Sequence, residues 1–404
     1  MTASRFDTTA GASGPQARIP ERLPPGRIGR IVGLAVIPVG SIVLALLIGA
    51  LIILMSGLAT GKFDPALPLT AYASLLSGAT GIGFEPSGIT FNANGPIQWL
   101  NTAAPLVLTG LAVGVGFKAG LFNIGATGQV LMGGFAAAVV GGAVSSQPVL
   151  VAVPIAVLAG VLAGGLYGFI PGALKAYTGA HEVVTTIMLN YIAVAIISGL
   201  VNDVLKIQGP TFARTADVGS AALPKLVGSL HAGVLLAVIL VPISYWLVWR
   251  TTIGFEIRTV GANPSAARYA GMSPRLITAL TMSLCGACAG LAGTLEILGR
   301  IGYYPAIFGT SIGFDGITVA LLGRAHPLGI GLSALLLGGM RAGAGLMQIK
   351  ARIPVEIIDV LQAVILLFLA ADVIVRNLLR LRAARGAVEE LQTVTRSYGE
   401  QAAR

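Results

Sequence analysis

Long uncharged runs dominate the chain: 31–55, 97–117, 124–144, 149–174, 183–201, 231–249 and 276–295. A hydrocarbon core about 30 Å thick takes about 20 apolar residues of helix per crossing, so each run reads as a membrane span. Past residue 295 the pattern shortens. The run 312–322 contains Asp315, the run 327–340 stops at Arg341, and a last one covers 354–375. With both short runs counted, the expectation is an all-α polytopic membrane protein of about ten transmembrane helices, some short or re-entrant. A pair of half-helices around 312–340 is the alternative, since broken helices are tolerated where they line a protein-walled cavity.

Charge then orients the chain. Only 10% of the residues are charged and 55% are hydrophobic, against about 25% charged in a soluble domain. The net charge of +10 sits at membrane edges: Arg18, Arg22, Arg27 and Arg30 before the first run, Arg376, Arg380, Arg382 and Arg385 after the last. Such clusters mark the cytoplasmic side and exclude a nucleic-acid partner. The reading is a basic cytoplasmic tail (1–30), a transmembrane domain (31–375) and a second cytoplasmic tail (376–404) of a plasma-membrane protein. Lys118, the 175–182 loop and the segment 250–275 then fall inside. The connections 58–96, 145–148 and 202–230 fall outside.

Glycine is patterned rather than scattered. Gly160, Gly164, Gly168 and Gly172 share one helix face, a small-residue seam of the kind that lets helices approach closely in lipid. Cys285 and Cys288 are spaced C-x-x-C inside an uncharged run and read as small buried residues.

Catalytic signatures are missing from the sequence. No G-x-x-x-x-G-K-[ST] or G-x-G-x-x-G pattern occurs, and His181, His231 and His326 are dispersed. No catalytic residue, metal ligand or bound cofactor is expected. Intramembrane charges are few (Glu296, Asp315, Arg341, Asp359, Asp372), whereas ion-driven carriers place acids or broken-helix ion sites near the midplane. Uphill transport would therefore draw its energy from another subunit. The alternative is an ATP-independent secondary carrier or channel.

One polar segment interrupts this apolar chain: "GFEIRTVGANPSAARYAGMS", 254–273. Pro264 suits the first turn of a short helix, and Gly261 and Gly271 bracket it. A helix with an alanine face and two arginines suits a groove on a cytoplasmic partner. This stretch resembles the coupling segment of permease subunits in ATP-binding cassette (ABC) importers of the simple-sugar and nucleoside branch. "GLFNIGATGQVLMGG" (120–134), "HEVVTTIMLNYIA" (181–193) and "GFDGITVALLGRAHPLGI" (313–330) resemble that branch's third-helix, fifth-helix and eighth-to-ninth-helix signatures. Thr127 and His181 depart from it, standing where the branch usually has an acid and commonly has an asparagine. The resemblance implies docking to an ATP-binding subunit through Gly254, Arg258, Gly261, Asn263, Pro264, Ala267, Arg268 and Gly271. It further implies that ATP and Mg are held on that partner, that a second permease subunit completes a heterodimer, and that an extracytoplasmic binding lipoprotein delivers a nucleoside or simple sugar.

Polar or aromatic residues within the spans are the pathway candidates: Asn123, Gln129, Thr186, Asn190, Tyr303, Phe308, Phe314 and Asp315. Thr186 and Asn190, four apart, share a helix face. Asn123 also suits the cap of the third helix, and Asn190 suits an interhelical hydrogen bond.

Overall fold

The computed structural model describes residues 27–59, 64–85, 88–207, 212–309 and 311–370. Most of both basic tails lies outside these residues, including Arg18, Arg22 and the arginines after 375, as does Asp372. In chain order the helices are α1 (Arg27–Ala59), α2 (Leu67–Thr80), α3 (Asn94–Lys118), α4 (Ala126–Ala143), α5 (Val149–Ala173) and α6 (Glu182–Gly199). They continue as α7 (Gly233–Arg250), α8 (Thr252–Ala262), α9 (Pro264–Tyr269), α10 (Pro274–Glu296), α11 (Ser311–Leu322), α12 (Pro327–Ala351) and α13 (Glu356–Ala370). Single π-helical turns prolong α5, α6 and α10 over Leu174–Thr178, Leu200–Val204 and Ile297–Ile301. Two small antiparallel hairpins, β1 (Ile82–Glu85) with β2 (Gly88–Phe91) and β3 (Lys225–Val227) with β4 (Leu230–His231), are the only sheet among the described residues. In a bilayer every backbone polar group must be satisfied within the protein, which is why apolar runs of this length become helices.

Seven helices among the described residues are long and apolar enough to cross a membrane: α3, α4, α5, α6, α7, α10 and α12, with α5, α6 and α10 counted together with their π turns. The sequence-based boundaries hold for the runs 97–117, 124–144, 149–174, 183–201, 231–249 and 276–295. Three expectations change. The connection 58–96 is not a plain loop: α2 packs along α12, where Gly78 lies against Gly343. At 14 residues α2 is too short to register as a full span. The run 327–340 does not end at Arg341 but continues to Ala351, because the guanidinium pairs with acids on α11 and α13. Of the alternative pair of half-helices, therefore, only α11, with 12 residues, is short.

α3 is the axis of the bundle, with Leu106, Leu108, Leu111 and Val113 buried in the main core among α7, α10, α11 and α12. Around it the glycine seam closes, and its partner is α10. A Cβ on Gly168 would lie 2.5 Å from Met282 O; one on Gly164 would lie 2.6 Å from Gly290 Cα; one on Gly160 would strike Thr294 Oγ1. The two helices run antiparallel at backbone contact. Gly133 of α4 meets Gly290 as well, so three helices share one groove.

Because a Cβ on Gly290 would sit 2.6 Å from Gly160 O and 2.8 Å from Gly164 Cα, Gly290→Ala must push two backbones apart. Unfolding in detergent should show a loss of about 1–3 kcal/mol. Gly199→Ala, where nothing lies within 4 Å, should stay neutral or gain up to about 1 kcal/mol. Equal effects at the two positions would contradict the seam.

Candidate functional site

The segment singled out in the sequence forms a two-helix knob at one end of the bundle. Thr251 opens α8, its Oγ1 accepting from Gly254 N at 3.1 Å. Gly254 is buried where a side chain would collide with the Leu247 and Val248 carbonyls, so the chain turns sharply out of α7. Arg258 donates from Nε to Gly254 O at 3.4 Å. Gly261 rests on the end of α3, where a Cβ would strike Lys118 O. Asn263 then breaks the helix and starts the next: its Oδ1 accepts from Ser265 N and Ala266 N, both at 3.0 Å. Pro264 occupies the first turn of α9. Gly271, at φ +82, closes α9 with a Schellman pattern in which Met272 N donates to Ala267 O and Gly271 N to Arg268 O.

Ala267 is fully buried in a satellite core with Ala119, Leu121, Ile257, Val260, Ile277 and Met282. That core ties the knob to the loop after α3 and to the start of α10. Its outer surface presents Pro264, Ser265, Arg268 and Tyr269, the last 95% exposed. Tyr269 escaped the sequence reading. A tyrosine beside the arginine of a short capped helix is the signal that could have found it, since aromatic residues and arginine anchor protein interfaces.

The polar residues of α4 and α6 form a satisfied network. Asn123 and Gln129 exchange amide bonds (Asn123 Nδ2 to Gln129 Oε1 at 2.8 Å, Gln129 Nε2 to Asn123 Oδ1 at 3.2 Å). Asn123 therefore does not cap α4. The cap comes from another helix: Asn190 Oδ1 on α6 accepts from Gly128 N at 2.8 Å, and its Nδ2 donates to Ile124 O at 3.0 Å. The capping position on α4 itself, Gly125, has no side chain, and Thr186 packs into the space this leaves. The shared face of Thr186 and Asn190 is thus the α4-facing side of α6.

At the other end, the segment 212–223 laces onto 298–306 through Thr215 N to Tyr304 O (3.0 Å), Val218 N to Gly302 O (2.8 Å) and Leu223 N to Leu298 O (2.7 Å). Arg214 lies 4.3 Å from the Tyr303 ring centroid. Tyr304 is buried edge-on against Phe135 and 5.3 Å from Phe308. Phe314 is half exposed, while its neighbour Asp315 is buried and ion-paired with Arg341 at 2.8 Å. The pathway candidates therefore fall into separate groups, on α4 and α6, under the 212–223 cap, and on α11. Arg341 and Gln362, which gather around Asp315, were not among them. Arg341 looked like the end of a span, and the approach of Gln362 requires α13 to fold back beside α12.

The family model described as branched-chain amino acid transport system, permease component, matches residues 95–370. A guanosine ABC transporter permease of Bacillus subtilis is 37% identical over 358 residues, 87% of this chain and 97% of that protein. A nucleoside ABC transporter permease of Lactococcus lactis is 34% identical over 378 residues, 91% of this chain and 98% of that one. A glucose ABC transporter permease of Haloferax volcanii is 35% identical over 288 residues, 68% of this chain and 76% of that protein. No solved structure matches the chain. A helical bundle with apolar spans, the four signature segments and this likeness along most of the length agree: the chain belongs to the family of membrane-embedded transport permease components.

Proposed function

We propose that this chain is the translocating subunit of an ABC importer for nucleosides, driven by ATP that a separate subunit hydrolyses. The observation that carries the proposal is the knob: a short, doubly capped helix, α9, with an exposed Arg268 and Tyr269 outside and Ala267 sealed into a core shared with the ends of α3 and α10. A partner gripping α9 would move α3 and α10 with it, because packed interiors transmit displacement rather than absorb it. Alternating access follows when the two states of that partner favour two arrangements of the bundle.

In this reading the knob lies in the cytoplasm with both termini, and the hairpins and the 212–223 segment face outward in the plasma membrane. The transmembrane domain (31–375) carries ten spans between the tails 1–30 and 376–404. A second permease subunit completes the pathway, and a binding lipoprotein delivers solute at the outer face. ATP and Mg stay on the ATP-binding subunit, and this chain binds no cofactor and performs no catalysis. Gly254, Arg258, Gly261, Asn263, Pro264, Ala267, Arg268 and Gly271 shape or present the coupling surface. The pathway draws on Asn123, Gln129, Thr186, Asn190, Tyr303, Phe308, Phe314 and Asp315.

Nucleosides are the favoured cargo because the guanosine and nucleoside permeases align along nearly their whole length. The glucose permease supports a simple-sugar reading over a shorter stretch. Uptake of labelled nucleosides and pentoses by the reconstituted complex separates the two, and ATP-independent uptake would favour a carrier or channel instead.

Arg268→Glu should cut ATP-dependent uptake by roughly tenfold or more, as the loss of a charge at an interface does, while membrane insertion is unchanged. Asn263→Ala removes both cap bonds of α9, costing about 1 kcal/mol locally, and should uncouple ATP hydrolysis from uptake in part. Normal transport by both variants would remove the docking role from the knob.

A further inference from the structure

Five buried side-chain polar atoms lack a hydrogen-bond partner among the described residues, and three of them gather in one place: Asp315 Oδ2, Arg341 Nε and Gln362 Nε2. They come from three helices, α11, α12 and α13. Asp315 and Gln362 are only 6% and 4% exposed. Arg341 is the hub. Its Nη2 lies 2.8 Å from Asp315 Oδ2 and 3.2 Å from Asp359 Oδ1. Nη1 donates to Ser311 Oγ at 3.0 Å, and Nη2 to Gln362 Oε1 at 3.4 Å. Asp315 Oδ2 is held in that ion pair, and as a carboxylate oxygen with two lone pairs it can still accept one further hydrogen bond.

The cluster sits where α11, α12 and α13 meet. α11 begins inside the bundle: Gly316, one residue after Asp315, packs on Thr109 near the middle of α3. Asp359 is 68% exposed at its side chain and Phe314 is 53% exposed. Asp359, in the first turn of α13, has Arg341 as its ion-pair partner, so its charge is compensated where hydrocarbon would not solvate it. Buried donors and acceptors left unmet are costly and call for an occupant.

The chemistry of the cluster narrows that occupant. One guanidinium stands between two carboxylates, so no positive charge is spare for an anion. What is open is the remaining accepting capacity of Asp315 and the N–H groups of Arg341 Nε and Gln362 Nε2. An uncharged solute with a donor beside an acceptor completes the set. Both the N–H/C=O edge of a nucleobase and the vicinal hydroxyls of a ribose have that form. We infer that Asp315, Arg341 and Gln362 form a solute-recognition subsite in the translocation pathway that takes such an uncharged donor–acceptor edge. The inference rests on the nucleoside-importer reading.

The test is ATP-driven uptake by the reconstituted complex of inosine, 1-methylinosine (N1–H blocked) and 2′,3′-dideoxyinosine (hydroxyls removed), with the wild-type chain and with Gln362→Leu and Gln362→Glu. The delivering protein is the same in every preparation, so its own selectivity cancels between variants. The wild type should prefer inosine over the analogue lacking the engaged group, and each variant should shrink that preference by about tenfold. Loss of the preference over 1-methylinosine assigns the base edge, and loss over the dideoxy analogue assigns the hydroxyls. Gln362→Glu keeps the size and the acceptor facing Arg341, so it covers a Leu variant that fails to assemble. Inosine uptake with both preferences unchanged would overturn the inference and leave the atoms to bridging water. Absence of inosine uptake by a wild-type complex that hydrolyses ATP would overturn the nucleoside reading, and the inference with it.

Discussion

Backbone-to-backbone contact between α5 and α10 is the constraint on which the bundle depends. Lipid tails are as apolar as leucine, so burying apolar side chains supplies little drive for helix association, and dispersion between close surfaces has to take over. Gly160, Gly164 and Gly168 on one helix and Gly286 and Gly290 on the other leave no Cβ where the two backbones come closest. Gly133 brings α4 into the same groove, and Gly293 reaches Val130 on α4. α10 thereby becomes a strut locked to two neighbours, and it is also the helix whose first turns hold the knob.

That arrangement explains how a six-residue helix can matter to a bundle of this size. α9 alone is too short to be stable in water, since helix nucleation is costly and short segments do not recover the cost. It persists because Asn263 and Gly271 close its two ends and Ala267 is sealed in the satellite core. The same core includes Ala119 and Leu121, beyond α3, and Ile277 and Met282 on α10. The knob is thus attached to the end of the bundle axis and to the glycine strut.

Polar groups within the spans divide into two kinds. Asn123, Gln129 and Asn190 spend their amides on one another or on the first turn of α4, which fixes the re-entry of the chain after α3. Around Arg341 the accounting is incomplete: Arg341 Nε and Gln362 Nε2 are buried without an acceptor, and Asp315 Oδ2 has only its ion pair. A fully paired network rigidifies a fold, whereas a partly paired one leaves a desolvation cost that water or a ligand can relieve. In a chain with so few intramembrane charges, that contrast is the ground on which the cluster is inferred to be a recognition subsite.

Much of this was legible along the chain. Apolar run length set the spans, the every-fourth-residue glycines marked a packing face, and the Asn-Pro step with its flanking glycines announced a short capped helix, because each is a local property of helices and their ends. Gly160 could be read as a seam residue, but not its partner α10, and Asn123 could be read as a cap, though the cap came from Asn190 on another helix. α2 was hidden because a helix too short to span leaves no length signal. Arg341 seemed to terminate a helix because a lone cation in an apolar run is unfavourable; two carboxylates from α11 and α13 reverse that sign. Periodicity and end chemistry depend on neighbours within one or two turns and are written in the sequence. Which helix meets which, and which buried atoms remain unmet, depends on contacts between distant segments that only the packed bundle brings together.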